Sequence, residues 1–198
     1  MQLSALILAG GESRRMGRDK AWVEFNGRPL IQLAVEKVRA IGVEELFISG
    51  RVGADYSEMG CPVLFDLEPG FGPMGGIERG LCVCASPLLL VLAVDLPRMT
   101  PTFLDKLATR CNRLTGVVPL LNERLEPLAA IYPHRCHFFA RSAIAQGRYS
   151  ARSFAESCLK EHAVRTLHVS AADATCFANC NTPSDLDLSI CDGRTIEF

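Results

Sequence analysis

Short uninterrupted apolar runs alternate along this chain with stretches in which apolar residues recur every three or four positions. The runs have strand length: residues 3–9, 46–49, Val63–Phe65, 88–94, 116–120, 127–132 and 164–169. Continuous rather than alternating apolarity is what a strand covered on both faces requires. Between the runs, Leu30, Ile31, Ala34, Val35 and Val38 form one face of a helix. Pro29 suits that helix's first position and Gly42 its C′ position, after the turn Asn26-Gly27. A loop rich in Gly and Pro, 68–76, leads into a helix through Ile77, Gly80 and Leu81. Another helix opens at Pro101, with Thr100 as its N-cap. Strand–helix alternation of this kind predicts an α/β fold, a mostly parallel central sheet with crossover helices. The most apolar run, 88–94, belongs at its centre. Around Asn122-Glu123 the pattern loses regularity and the sheet is expected to become mixed, and Ser184 is expected to cap a short helix ending near Leu188.

Length changes the picture little: 198 residues suffice for one domain, 1–198. Charge changes it more. Lys and Arg total 21 against 22 acids, so a general nucleic-acid binder is disfavoured and any anion must be met by a local cluster. The longest apolar run is far too short to span a membrane, and the N-terminus does not read as a signal peptide. Nine cysteines occur without a Cys-x-x-Cys pair, and many, such as Cys82, Cys84 and Cys158, stand in apolar contexts. They are expected to be reduced core thiols rather than metal ligands, consistent with a cytoplasmic protein.

In open α/β sheets ligands bind at the carboxyl ends of the strands. That rule selects the segment 10–20 after the first strand, Ser49-Gly50-Arg51 after the second, Asp66 after the third and Asp95 after the central one. In the first segment, Gly10 and Gly11 allow backbone N–H groups to turn around an anion. Arg14, Arg15, Arg18 and Lys20 add charged donors. Neither the P-loop pattern nor Gly-x-Gly-x-x-Gly is present. A basic surface loop is the competing reading. For Asp95 the competing reading is a turn residue ahead of Pro97, and for Asp66 an ordinary strand end.

Leu8-Ala9-Gly10-Gly11-x-Ser13-x-Arg15-Met16-Gly17-x-Asp19-Lys20 resembles the signature of the GT-A-like nucleotidyltransferases, and its wording is nearest to the molybdenum cofactor guanylyltransferases. Gly72-Pro73-Met74-Gly75-Gly76, Val94-Asp95-Leu96-Pro97 and the segment from Phe177 through Asn179, Asn181 and Pro183 to Leu186 resemble further motifs of that family, in order and spacing. The resemblance implies a three-layer Rossmann-like fold and transfer of GMP from GTP to molybdenum cofactor (molybdopterin). It also implies Mg2+ as cofactor, and molybdoenzymes or cofactor-insertion proteins as partners. Arg15, Lys20 and Asp95 would be catalytic, with Asp95 the metal ligand. Leu8, Ala9, Gly10, Gly11, Ser49 and Asp66 would line the nucleotide site, and Asn179 and Asn181 would face the pterin. One departure stands out: Ser49-Gly50 occupies a place where the family often has Asn, which bears on base choice.

Competing functions are a related transferase using CTP with the pterin or an NTP with a sugar or polyol phosphate, and a non-catalytic nucleotide-binding module. Retention of Lys20 and Asp95 argues against the last. Among other residues, His134 and His137 read as a helix start with no carboxylate beside them, and Trp22 and Phe25 as packing beneath the glycine loop. Arg148 and Arg152 read equally as an acceptor-phosphate contact or a solvated turn.

Overall fold

The computed structural model describes residues 2–10, 20–65 and 70–179. Its elements, in chain order, are β1 (Leu3–Leu8), the small hairpin β2 (Glu24–Phe25) and β3 (Arg28–Pro29), α1 (Leu30–Ala40), β4 (Glu45–Gly50), β5 (Val63–Phe65) and α2 (Pro73–Val83). There follow β6 (Leu88–Ala93), α3 (Pro101–Ala108), β7 (Gly116–Leu121), β8 (Arg124–Leu125), β9 (Ala129–Pro133), α4 (Cys136–Ala145), α5 (Ala151–Lys160) and β10 (Val164–His168). The main sheet has the order β10-β7-β9-β6-β1-β4-β5, with β8 paired to β7. β6 holds the middle place. β4, β5 and β6 run parallel to their neighbours around β1, whereas β9 is antiparallel to both β6 and β7, so the sheet is mixed where the sequence loses regularity.

The alternation of the strands explains the three layers. Leu3, Ala5 and Ile7 of β1 and Leu88, Leu90 and Leu92 of β6 face one core, which α1 and α3 cover with Ile31, Val35, Phe103 and Leu107. Leu6 and Leu8, with Leu89 and Val91, face the other, covered by α2, α4 and α5 through Ile77, Leu81, Ala140 and Phe154. Both strands are buried along all six residues, as runs without polar alternation demand. Ser4, the one hydroxyl inside β1, donates to Glu45 Oε2 at 2.6 Å.

Several boundaries differ from the sequence reading. Pro29 occupies the N-cap position and the first helical residue is Leu30. α2 starts at Pro73, inside the stretch read as loop, because Pro at the first helical position has no N–H to leave unsatisfied. The hairpin formed with β8 turns through Asn122 and Glu123, both at positive φ. Thr100 caps α3, its Oγ1 accepting from Phe103 N at 3.1 Å. The helix expected after Ser184 lies outside the described residues. All seven described cysteines are free, and burial pushes the Cys84 thiol up to about 11 and that of Cys111 to about 12. Cys82 is exposed, contrary to its apolar surroundings in sequence.

Two glycines should separate backbone from side-chain constraint. A methyl on Gly80 would meet the flexible ends of Leu6 and Leu89, at 2.9 and 3.1 Å, whereas one on Gly116 would run into the backbone carbonyl of Ile131. Gly116→Ala should therefore lower stability by about 3 kcal/mol, the upper end of overpacking costs. For Gly80→Ala, helix propensity gains about 1 kcal/mol against the strain, and the net loss should stay below about 1 kcal/mol. Urea midpoints of the two variants read the difference.

Candidate active site

The strands leave the sheet at one edge under tight backbone control. Ala9 N donates to Ser49 O at 2.8 Å, and Val94 N donates to Leu8 O at 3.1 Å. Pairing thus continues past the ends of β1 and β6, and brings Leu8, Ala9, Gly10, Ser49 and the turn beginning at Val94 together. Ser49 is buried and Gly10 exposed. The glycines here differ in kind. A methyl on Gly76 would fall onto Ser49 Oγ and within 2.7 Å of Leu8 Cδ2, so the first turns of α2 can lie against these strand ends only because Gly76 has no side chain. A methyl on Gly10 would meet nothing nearer than 3.8 Å. Packing within the described residues does not demand glycine at position 10.

Lys20 and Asp95, 75 residues apart, meet at this edge: Lys20 Nζ donates to Asp95 Oδ2 at 2.8 Å. Both side chains are only partly exposed, 15 % for Lys20 and 26 % for Asp95. Lys20 opens a 3-10 turn, Lys20–Trp22, whose other residues root it. Ala21 is fully buried, and Trp22 stacks on Tyr56 with centroids 6.2 Å apart, in agreement with a packing role. Asp95 stands two residues after β6, and Met99 N donates to Leu96 O within the turn that follows. Among the described residues no cluster of three or more His, Cys, Asp or Glu could form an all-protein metal cage. The Asp95 carboxylate at a half-open edge is the type of ligand that serves an ion also bound by phosphates.

The sequence reading missed Lys37. From α1 its Nζ donates to the carbonyl of Pro97, two residues past Asp95. Its pKa falls to about 8, chiefly through burial, with Cys176 and Glu36 opposing and Arg28 assisting. Periodicity places it beside, not on, the apolar face of α1, so nothing local marks it. The C-terminal part of the described chain reaches the same region. Phe177 meets Phe103 edge-on at 5.3 Å, Cys176 Sγ lies 3.9 Å from Thr100 Oγ1, and Lys106 pairs with Asp173 at 2.7 Å. Exposed Asn179 follows directly. Gly11, Arg15, Asp66 and Asn181 lie outside the described residues.

One reading needs correction. His137, expected to lack a carboxylate, pairs through Nε2 with Glu78 Oε1 at 2.7 Å, because α4 lies beside α2 across 59 residues of sequence. Arg148 and Arg152 are exposed; the charge of Arg152 opposes the effect of burial, which raises the Glu126 carboxyl.

Lys37 has a pH signature. The unfolded chain holds this proton up to the ordinary value of 10.5, the folded chain only to about 8. Between these values the unfolded state binds more protons, so this contribution to stability rises with pH across that window. Lys37→Met should remove the rise. Unfolding free energies of both proteins, measured at intervals from about pH 7 to 11, should show the variant gaining on wild type at the acid end and the difference closing at the alkaline end. A constant difference would mean that Lys37 is solvated.

Residues 5–177 match the MobA-like NTP transferase domain. A "Probable molybdenum cofactor guanylyltransferase" from Opitutus terrae is 32% identical over 188 residues, covering 93% of each chain. The molybdenum cofactor guanylyltransferase of Yersinia pseudotuberculosis is 28% identical over 189 residues, 94% of each. Among solved structures, the molybdopterin-guanine dinucleotide biosynthesis protein A of Archaeoglobus fulgidus aligns with a TM-score of 0.73 at 25% identity, covering 92% of this chain and 94% of its own. The 2-C-methyl-D-erythritol 4-phosphate cytidylyltransferase of Thermus thermophilus shares the fold, with a TM-score of 0.70 at 18% identity, over 92% and 95% of the two chains. Matched over residues 5–177 and 32% identical to a relative along 93% of its length, the chain belongs to the MobA-like NTP transferase family.

Proposed function

We propose that this enzyme transfers GMP from GTP to molybdenum cofactor, forming the guanine dinucleotide cofactor and pyrophosphate. The observation that carries the reading is the Lys20–Asp95 pair at the exits of the central strands, beside a glycine that packing among the described residues does not require. A backbone without a side chain at Gly10 lets phosphate oxygens approach its N–H. With Gly11 and Arg15, it would form the cradle for the triphosphate. Lys20 is a compact charge with three donors, so it can hold Asp95 and a phosphate oxygen together.

The acceptor's phosphate oxygen attacks the α-phosphorus of GTP in line. A new P–O bond forms, the bond between the α-phosphorus and the bridging oxygen breaks, and its electron pair leaves with pyrophosphate. An ionised phosphate needs no general base. Charge developing on the leaving group would meet Lys20, held beforehand by Asp95, and Arg15. The donor set fits magnesium: one part-exposed carboxylate, whose Oδ1 carries no partner among the described residues, with substrate phosphates completing the shell. Asp95 would hold the ion, which when bound neutralises triphosphate charge. Leu8, Ala9, Ser49 and Asp66 would border the base and ribose, and Asn179 and Asn181 the pterin, whose edge offers donors and acceptors that an amide matches. No helix among the described residues is long and apolar enough to cross a membrane. We assign the reaction to the cytoplasm, with molybdoenzymes or cofactor-insertion proteins receiving the product.

Pyrophosphate release with each of the four NTPs, with and without molybdenum cofactor, tests the reaction. GTP together with the cofactor should give the highest rate, and release with CTP instead would change the assigned base. Asp95→Asn should fold normally and lose about a hundredfold or more in turnover, as expected for removal of one electrostatic element. Near-normal turnover with magnesium would remove Asp95 from the metal role.

Asn179→Ala should weaken molybdenum cofactor binding by about tenfold, the worth of one hydrogen bond to a buried polar edge, while GTP affinity stays within about twofold. Binding titrations of the two ligands separate this from a structural role, in which both affinities would fall together.

A further inference from the structure

The turn that presents Asp95 is tied in three places to one stretch of chain, residues 20–37. Lys20 Nζ donates to Asp95 Oδ2 at 2.8 Å, the Arg98 guanidinium lies over the Phe25 ring at 5.9 Å, and Lys37 Nζ donates to the Pro97 carbonyl. Phe25 belongs to the β2–β3 hairpin, which runs straight into α1 and is closed by Leu30 N donating to Val23 O at 2.9 Å. The tie made by Lys37 is the costly one. Pro97 is buried, and Lys37 is partly buried against it. An ammonium that gives up hydration needs a carboxylate to offset the loss. No carboxylate of a described residue pairs with Lys37, and its neighbour Glu36 is taken by Arg28. What it holds is a neutral carbonyl, and burial lowers its pKa to about 8. For stability alone an apolar side chain would serve better here, since Val35 and Val38 already anchor α1 in the core. A residue that breaks the local rule in this way is expected where function needs it.

We infer that Lys37 is a positioning residue for the transfer reaction: by holding the Pro97 carbonyl from α1, it fixes the turn from which the Asp95 carboxylate acts. The inference rests on the role proposed above for Asp95. Val94 N, donating to Leu8 O at 3.1 Å, fixes the entry of the turn, and Met99 N, donating to Leu96 O at 3.1 Å, closes its exit. Lys37 supplies the hold between these two points, from a helix whose other residues are locked by packing. Side chains that meet a metal or a reacting phosphate must be held to within about 0.5 Å by such supports. Without it the carboxylate remains in the turn but is less closely confined.

Lys37→Met in the full chain, alone and combined with Asp95→Asn, tests the inference. The readouts are urea unfolding near neutral pH, amide hydrogen exchange at Met99, and pyrophosphate release with the NTP that supports turnover. Lys37→Met should be no less stable than wild type, yet its Met99 N–H should exchange about tenfold faster, a local opening without global loss. Its turnover should fall by about tenfold while KM for the nucleotide stays within about twofold, as expected for a misplaced group. In the Asp95→Asn background the same substitution should change turnover by less than about twofold, because groups that act as a unit are not additive. Additive losses would overturn the inference, as would wild-type turnover or unchanged exchange at Met99. So would a Lys37→Met chain that is less stable or fails to fold, since that makes the lysine a structural requirement. Normal turnover of Asp95→Asn by itself would sink the Asp95 reading and this inference together. Additive losses beside an impaired Asp95→Asn would sink this inference alone.

Discussion

The site is set by the register of β1 against β6. Leu3 faces Leu88 and Leu8 faces Ala93, in a parallel pair whose twelve residues are all buried. A parallel pair sends both chains out at the same edge. Once Leu8 and Ala93 are opposite one another, Gly10 and Asp95 emerge side by side. A slip of one residue would turn every side chain of β1 to the wrong layer and is opposed by both cores at once. The addition of β4, with Leu8 opposite Ser49, brings Ser49 to the same edge. Precision in the chemistry is inherited from apolar packing several residues away.

Charge at that edge is arranged around this frame and is not part of the frame. Lys20 neutralises Asp95 with both partly exposed, a geometry in which an ion pair adds little stability and can exchange partners readily. That suits the role proposed for both residues, which would also address a highly charged substrate. Lys37 is different. It gives up part of its hydration to hold the Pro97 carbonyl, and the cost appears as a lowered pKa. It fixes the far side of the turn that presents Asp95, while Thr100 and Cys176 link the next residues to the segment that carries Asn179.

Much of this was legible from order and apolarity. The strand runs, the helix opened at Pro101 and capped by Thr100, the C′ role of Gly42 and the central place of 88–94 depend on local backbone preferences and on burial of whole strands, and each stands as read. Gly42 adopts positive φ of 70°, as a C′ residue should. Local rules failed where a contact crosses the chain. The hairpin at β8 depends on pairing with β7, and the His137–Glu78 pair on the approach of α4 to α2. Cys82, apolar in its neighbours, faces outward because helical rotation turns it away from the core.

The sequence by itself determined the class of fold, and it marked the edge proposed for the chemistry and the residue types expected there. Hydrophobic periodicity and the strand-end rule are local or nearly local facts. Tertiary structure alone decided which of these residues touch: Lys20 with Asp95, Lys37 with Pro97, Gly76 against Ser49 and Leu8. It also separated a glycine that packing requires, Gly76, from one that packing among the described residues does not, Gly10. Such distinctions are distances between segments far apart in the chain, and no pattern of spacing encodes a distance until the sheet register has been set.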